Sequence, residues 1–325
     1  MDRPYVVGID IGGQSAKIGI VDTRGTVLSQ TAIKSNDTNS HVEFIDNLCS
    51  AVEKLAEKAN IPMSKIRGIG IGAPNANYYT GTIENAVNLT FGGMKVIPFA
   101  DLMSERIGLP VRLTNDANAA AVGEMTYGAA RGMKNFITIT LGTGVGSGIV
   151  VGGYVLYGHD GFAGEYGHIM VDSRVTGREC GCGRRGCLEA YASATGIKRT
   201  AFELMAKMNC DSELRDTPFS KFEAVMLSIA ADKGDPIAKE AFRYTGEVLG
   251  KALADLVATT SPKAIILFGG LAKAGKYIFE PTKWYMEENM LPTFKNKVQL
   301  LPSGIEGKNA AILGSSALIW QKQQK

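Results

Sequence analysis

Apolar and polar positions change period several times along the chain, and two stretches share one rhythm. VVGIDIGGQSAKIGIVDTRGTVL from Val6 and ITITLGTGVGSGIVVGGYVL from Ile137 each read as strand, glycine-rich turn and strand, and Gly12 aligns with Gly142 at an offset of 130 residues. The glycines are expected to supply the positive φ of a hairpin turn, and each hairpin is expected to begin one lobe. Between them, HVEFIDNLCSAVEKLAEKAN sets Val42, Ile45, Leu48, Val52 and Leu55 on one face of an amphipathic helix ending near Asn60. RGIGIGAPN reads as a buried strand running into a loop, and PVRLTNDANAAAVGEMTYGAA as a strand followed by an alanine-rich helix that starts near Asp116. Farther on, Asp235 and Pro236 open a long helix that Pro262 stops, AIILFGG follows as a strand, and NAAILGSSALIW predicts a last helix docked on the N-terminal lobe. Strands alternating with helices in both halves predict an α/β fold.

Composition narrows the class. The 325 residues are more than one hydrophobic core ordinarily needs, so two lobes are expected, with a cleft as the first place to look for a site. Hydrophobic residues make up 45% and charged residues 21%, as in an ordinary folded enzyme. The net charge of +3 is spread without a block of like charge, which argues against nucleic acid or an anionic membrane as partner. No apolar run reaches the ~18 residues of a membrane span. The N-terminus enters its first strand at about Tyr5 without a basic leader. Five cysteines, Cys49, Cys180, Cys182, Cys187 and Cys210, are odd in number and three are crowded, which suits a reducing cytoplasm and a metal better than disulfides.

Three features carry candidate chemistry. In TLGTGVGSGIV the glycines Gly142, Gly144, Gly146 and Gly148 match neither a dinucleotide fingerprint nor a P-loop, because a strand follows where those motifs need a helix. A hairpin of this kind presents backbone N–H groups that can cradle phosphate, or it is a tight turn without a ligand. Its counterpart holds Asp10, placed to take Mg²⁺ through water, with Gly12, Gly13, Ser15 and Lys17 close by. Gly269 and Gly270 close a third strand, where backbone can approach a flat base. Asp116, after a strand and at a helix start beside Asn115, is either a proton acceptor or an ordinary N-cap. Cys180, Cys182 and Cys187 in CGCGRRGC, with His168 upstream, form the three-thiolate, one-imidazole set that structural zinc takes. Glu165 and Glu189 flank that set.

Taken in order, GIDIGGQSAKIGIVD, LTNDANAAAVGE, TLGTGVGSGI, GEYGHI and CGCGRRGCLE resemble the ROK family of sugar kinases and sugar-responsive repressors, nearly end to end. The resemblance implies a two-lobed, actin-like (ribonuclease H-like) ATPase fold closing over a sugar, commonly as a homodimer. By position, it divides the chain into a small lobe of residues 1–116 plus 309–325 and a large lobe of 117–308 bearing the cysteine cluster. It implies Asp116 as base for a sugar 6-hydroxyl, with Asn75, Asn115, Glu165, His168 and Glu189 holding the other hydroxyls. It implies that Asp10, Gly12, Gly13, Gln14, Ser15 and Lys17 meet the phosphates of Mg·ATP together with Gly142, Thr143, Gly144 and Gly146. Gly269 and Gly270 would lie near the adenosine, and His168, Cys180, Cys182 and Cys187 would bind structural zinc. Glucose is the expected substrate; N-acetylmannosamine, N-acetylglucosamine, fructose and allose are the alternatives, and a non-catalytic sugar-binding regulator is the alternative of another class. Repressors of the family usually carry an N-terminal helix-turn-helix, for which the start at Tyr5 leaves no room. Gln14 and Asn75 depart from the common pattern, which has threonine at the first position and glycine at the second, and the loop at Asn75 is one residue shorter than usual.

Overall fold

The computed structural model describes residues 3–86, 89, 96–305, 307 and 309–321. In chain order, β1 (Tyr5–Ile11), β2 (Ser15–Asp22) and β3 (Val27–Lys34) lead to α1 (His41–Lys58) and β4 (Ile66–Gly72). The short strands β5 (Ala76–Asn77), β6 (Thr82–Glu84) and β7 (Val96–Ile97) precede α2 (Phe99–Ile107), β8 (Val111–Thr114) and α3 (Asp116–Tyr127). Next come β9 (Phe136–Leu141), β10 (Val145–Val151), β11 (Tyr154–Val155), α4 (Glu189–Ala192), α5 (Ala194–Lys207), α6 (Ala224–Asp232) and α7 (Pro236–Thr260). The chain ends with β12 (Ala264–Phe268), α8 (Lys276–Asn289), β13 (Gln299–Pro302) and α9 (Ala310–Ala317).

The repeat seen in sequence extends to whole sheets. One has the order β3-β2-β1-β4-β8 and the other β11-β10-β9-β12-β13, so each hairpin occupies the same place in its own sheet. In the first, β1, β2 and β3 pair antiparallel while β1, β4 and β8 run parallel. In the second, β9, β12 and β13 run parallel. The remaining short strands form a separate sheet, β5-β6-β7. The α/β class expected from the sequence is the one found.

The chain forms two compact units, one of Met1–Lys134, Gly148–Gly164 and Ser303–Lys325, the other of Asn135–Ser147 and Glu165–Pro302. This division differs from a boundary after Asp116, because α3 packs on α9 and β4 and so stays with the first unit.

In the first unit, β1 is apolar on both faces because both are covered. Phe44, Ile45, Leu48, Val52 and Leu55 of α1 are buried in the core that also holds Ile9, Ile18 and Ile69. Val42, expected on that face, is 54% exposed, and Phe44 takes the inward position. The opposite face meets α9, as expected for the terminal helix. Here glycine is required by proximity: a Cβ on Gly8 would lie 2.1 Å from the Ile312 carbonyl oxygen, and one on Gly70 1.9 Å from that of Ser315. In the second unit, the Asp235 side chain caps α7 by accepting the Ala238 amide, Pro236 occupies the first turn, and Ser261 ends the helix in a left-handed conformation just before Pro262. Among the described residues no helix is long and apolar enough to cross a membrane.

The hairpin glycines correct one expectation. None of Gly12, Gly13, Gly142, Gly144 and Gly146 has a positive φ. Their value lies in the missing side chain, which leaves backbone amides uncovered and, at Gly144, leaves room for a neighbouring carboxylate.

Candidate functional site

Two groups of candidate residues, one in each unit, are assembled by these hairpins. In the first unit, the turn between β1 and β2 is closed by the Gly12 amide donating to the Ser15 carbonyl at 3.0 Å. Ser35 braces it from the end of β3: its hydroxyl donates to the Gly12 carbonyl at 2.6 Å and its amide to the Gln14 carbonyl at 3.1 Å. Among the described residues, the amides of Gly13 and Gln14 then donate to no protein acceptor, as a phosphate cradle requires. Asp10, one residue before the end of β1, lies directly opposite exposed Lys17 in the antiparallel register. The Asp10 carboxyl is pushed up to about 6, first by burial and then by the charge of Asp116, with Lys17 opposing both.

Asp116 occupies the first turn of α3. The helix is capped by Asn115, whose Oδ1 accepts the Ala117 amide at 2.8 Å. The capping role considered for Asp116 therefore belongs to its neighbour, although Asp116 Oδ1 also accepts the Ala117 amide at 2.8 Å. Although the residue faces solvent, desolvation by the surrounding protein raises the Asp116 carboxyl above its ordinary value, against the lowering effect of that amide. A carboxylate so held is a stronger proton acceptor than one in water. Asn75 has φ +52°, the left-handed region that glycine enters freely and asparagine tolerates, so it can replace the glycine common at this position. Its Nδ2 donates to the Asn85 carbonyl at 3.2 Å.

The second unit holds the other hairpin, between β9 and β10. Its turn is closed by the Gly142 amide donating to the Gly144 carbonyl at 3.0 Å, and the Gly146 amide donates to Thr140 Oγ1 at 3.0 Å. The start of α5 supports it from below, through Ala194 N–H to the Gly142 carbonyl at 2.9 Å and Thr195 Oγ1–H to the Thr143 carbonyl at 3.1 Å. Among the described residues, the amides of Thr143 and Gly144 donate to no protein acceptor. Gly269, at φ +107°, follows β12 so close to β9 that a Cβ would lie 2.7 Å from the Leu141 carbonyl oxygen. Packing against β9 thus accounts for this glycine, while Gly270 has open space at its Cβ position.

Beside this hairpin, His168, Cys180, Cys182 and Cys187 bring their ligand atoms within 4.8 Å of one another. Cys180 Sγ lies 3.7 Å from His168 Nδ1, and Cys182 Sγ lies 3.7 Å from Cys187 Sγ. Two sulfurs of a tetrahedral zinc site, each about 2.3 Å from the metal, are about 3.8 Å apart, so donor set and spacing fit structural zinc. With Nδ1 on the cluster, Nε2 of His168 faces Glu165 Oε2 at 3.9 Å. This is the division of ring nitrogens by which a metal-bound histidine orients a hydrogen bond. Glu189, the first residue of α4, has Oε1 3.5 Å from Cys180 Sγ and accepts the Val145 amide on Oε2 at 3.0 Å.

Sequence reasoning did not find Ser35, Thr140 or Thr195. Their side chains act on backbone groups that only the folded chain brings near, and a lone serine or threonine in a strand or helix carries no local sign of this. Gly167 was legible only as part of GEYGHI. Its reason is that a Cβ there would lie 1.9 Å from the Val145 carbonyl oxygen.

The ROK family model matches residues 6–322. The chain belongs to the ROK family. Among its ROK relatives, a glucokinase of Halalkalibacterium halodurans is 37% identical over 99% of this chain and 96% of its own. A ROK family glucokinase from Streptomyces griseus, solved with glucose and AMPPNP, superposes with a TM-score of 0.79 at 32% identity, covering 97% of this chain and 98% of that one. A ROK family transcriptional regulator, a homologue of the E. coli MLC protein, superposes with a TM-score of 0.85 at 26% identity, covering 97% of this chain and 77% of that one. The fold of this ROK chain is accordingly the α/β actin-like ATPase fold, built here as two matching five-stranded sheets.

Proposed function

We propose that the chain is an ATP-dependent hexose kinase that transfers the γ-phosphoryl group of Mg·ATP to the 6-hydroxyl of glucose. The observation that carries this reading is Asp116, a solvent-facing carboxyl at the start of α3 whose proton affinity is raised by desolvation, coupled through its charge to Asp10 beside a hairpin with available amides. Phosphoryl transfer from ATP has a loose transition state and asks a protein for positioned phosphates, a metal and one acceptor for the alcohol proton. Asp116 takes the proton of the attacking hydroxyl. Asp10 holds Mg²⁺ through water, and Lys17, cross-strand from it, offsets phosphate charge.

Gly13 and Gln14 in one hairpin, and Thr143 and Gly144 in the other, receive phosphate oxygens on their available amides, while Gly12, Ser15, Gly142 and Gly146 line the two turns beside them. Gly269 and Gly270 lie beside the adenosine. Asn75, Asn115, Glu165, His168 and Glu189 hold the sugar hydroxyls. His168, Cys180, Cys182 and Cys187 hold zinc, which supplies no step of the reaction and fixes the turns that carry Glu165, His168 and Glu189. Glucose is preferred over N-acetylmannosamine, N-acetylglucosamine, fructose and allose because the glucokinase relatives are similar over nearly their full length. A second reading, a sugar-binding regulator without turnover, is supported by the regulator of the same fold.

An ADP-release assay with Mg·ATP and this panel of sugars, with Asp116→Asn as control, separates them. Sugar-dependent turnover that is lost in Asp116→Asn supports the kinase. Sugar binding without turnover on any of the panel selects the regulator.

A further inference from the structure

In the second unit, one side chain reaches both the cysteine cluster and the glycine hairpin. Glu189 Oε2 accepts the Val145 amide at 3.0 Å, while Oε1 faces Cys180 Sγ at 3.5 Å. Val145 is 5% exposed, so its N–H has little access to water if the carboxylate is withdrawn. The carbonyl of the same residue is covered from another side by Gly167, which admits no Cβ there. The absence of a side chain at Gly144 serves the same contact, since a Cβ at that position would lie 2.2 Å from Oε2. Val145 follows directly after Thr143 and Gly144, whose amides donate to no protein acceptor among the described residues.

We propose that Glu189 is a positioning residue for the nucleotide hairpin: its carboxylate anchors the Val145 amide and thereby aims the Thr143 and Gly144 amides at phosphate. This rests on the kinase reading for the identity of the ligand and adds a role distinct from holding sugar. It makes the hairpin depend on the segment that carries the cysteine cluster, because Glu189 lies two residues after Cys187. A hydrogen bond to a charged acceptor contributes about 1.5–3 kcal/mol, so its loss weakens whatever the hairpin holds by roughly 10-fold or more.

The test uses the full, metal-loaded chain without sugar. Hydrogen–deuterium exchange of the peptide spanning residues 142–150 is measured together with Mg·AMPPNP affinity by calorimetry, for wild type, Glu189→Ala, Glu189→Asp and Glu189→Gln. We expect faster hairpin exchange and about 10-fold weaker nucleotide binding in Glu189→Ala. Glu189→Asp, one methylene shorter, shows the same direction and serves if the alanine variant fails to fold. Glu189→Gln retains a carbonyl acceptor and restores both readouts to within about threefold of wild type. Unchanged exchange and nucleotide affinity in Glu189→Ala and Glu189→Asp overturn the proposal, and so does equal loss in Glu189→Gln. If wild type binds no nucleotide while exchange still rises in the alanine variant and is restored in the glutamine variant, the kinase reading falls and the anchoring of the hairpin stands.

Discussion

The two glycine hairpins occupy equivalent positions in equivalent sheets, yet they are held in place by different means. The first is braced by Ser35, on the neighbouring strand side of its own sheet, and carries its acidic group, Asp10, within the hairpin's own leading strand. The second is braced by residues far along the chain: Glu189 at the start of α4, and Ala194 and Thr195 at the start of α5. Both carry two adjacent amides that lack a protein acceptor among the described residues, Gly13 and Gln14 in one, Thr143 and Gly144 in the other. A duplicated fold therefore preserves the exposed amides while the supporting contacts diverge. The first hairpin lies beside the charged chemistry of Asp10 and Asp116, whereas the second is tied to the cysteine cluster.

The largest expected effect falls on the first side of this comparison. Asp116→Asn lowers kcat by about 10² or more and leaves the sugar affinity close to that of wild type, because it removes the proton acceptor and little of the binding surface. Steady-state kinetics with a sugar-binding titration check this, and near-normal turnover removes Asp116 from its role.

On the second side, Cys182→Ser removes one of the four candidate zinc ligands. Elemental analysis is expected to show loss of bound zinc, and melting to fall by on the order of 10 °C, since metal binding here is folding free energy. Retention of zinc and full stability would remove Cys182 from the ligand set.

A smaller effect distinguishes the hairpins by pH. Asp10 takes up a proton more readily folded than unfolded, its carboxyl being raised from 3.8 to about 6. A raised carboxyl makes the folded state the stronger proton binder between these values, so ligand-free stability falls as pH rises from about 4 to about 6 and is level above. After allowance for its part exposure the penalty is on the order of 2 kcal/mol. Asp10→Asn should thus melt several degrees above wild type at pH 8, match it near pH 4, and bind Mg·ATP less tightly. Equal melting at both pH values contradicts the raised carboxyl.

The finest comparison between the hairpins is steric. Gly144→Ala displaces the Glu189 carboxylate from the Val145 amide and is expected to cost about 1–3 kcal/mol. Gly12→Ala meets its nearest atom, the Ser15 carbonyl oxygen, at 3.4 Å and should cost less than about 1 kcal/mol. Chemical denaturation of the two variants gives the ranking directly, and the reverse order would show that the supports were misassigned.

Much of this protein is written locally. The β-branched runs around Gly12 and Gly142 announced two hairpins, period-three and period-four spacing announced α1, and Asp235, Pro236 and Pro262 bracketed α7, because strand, helix and cap preferences act over a few residues. The cysteine cluster was legible because three ligands lie within eight residues and the fourth, His168, is twelve residues upstream. Tertiary structure decided what no local pattern records. It placed Asn115 in the cap and set enough protein around the solvent-facing Asp116 to raise its carboxyl. It turned Val42 outward and Phe44 inward, because the helix face that counts is the one meeting the sheet. It assigned the hairpin glycines to clearance instead of positive φ, and it brought Glu189 to Val145 across 44 residues of chain. These contacts depend on which elements fold against one another, and that depends on how the whole chain buries its apolar faces and satisfies its amides, not on any single segment.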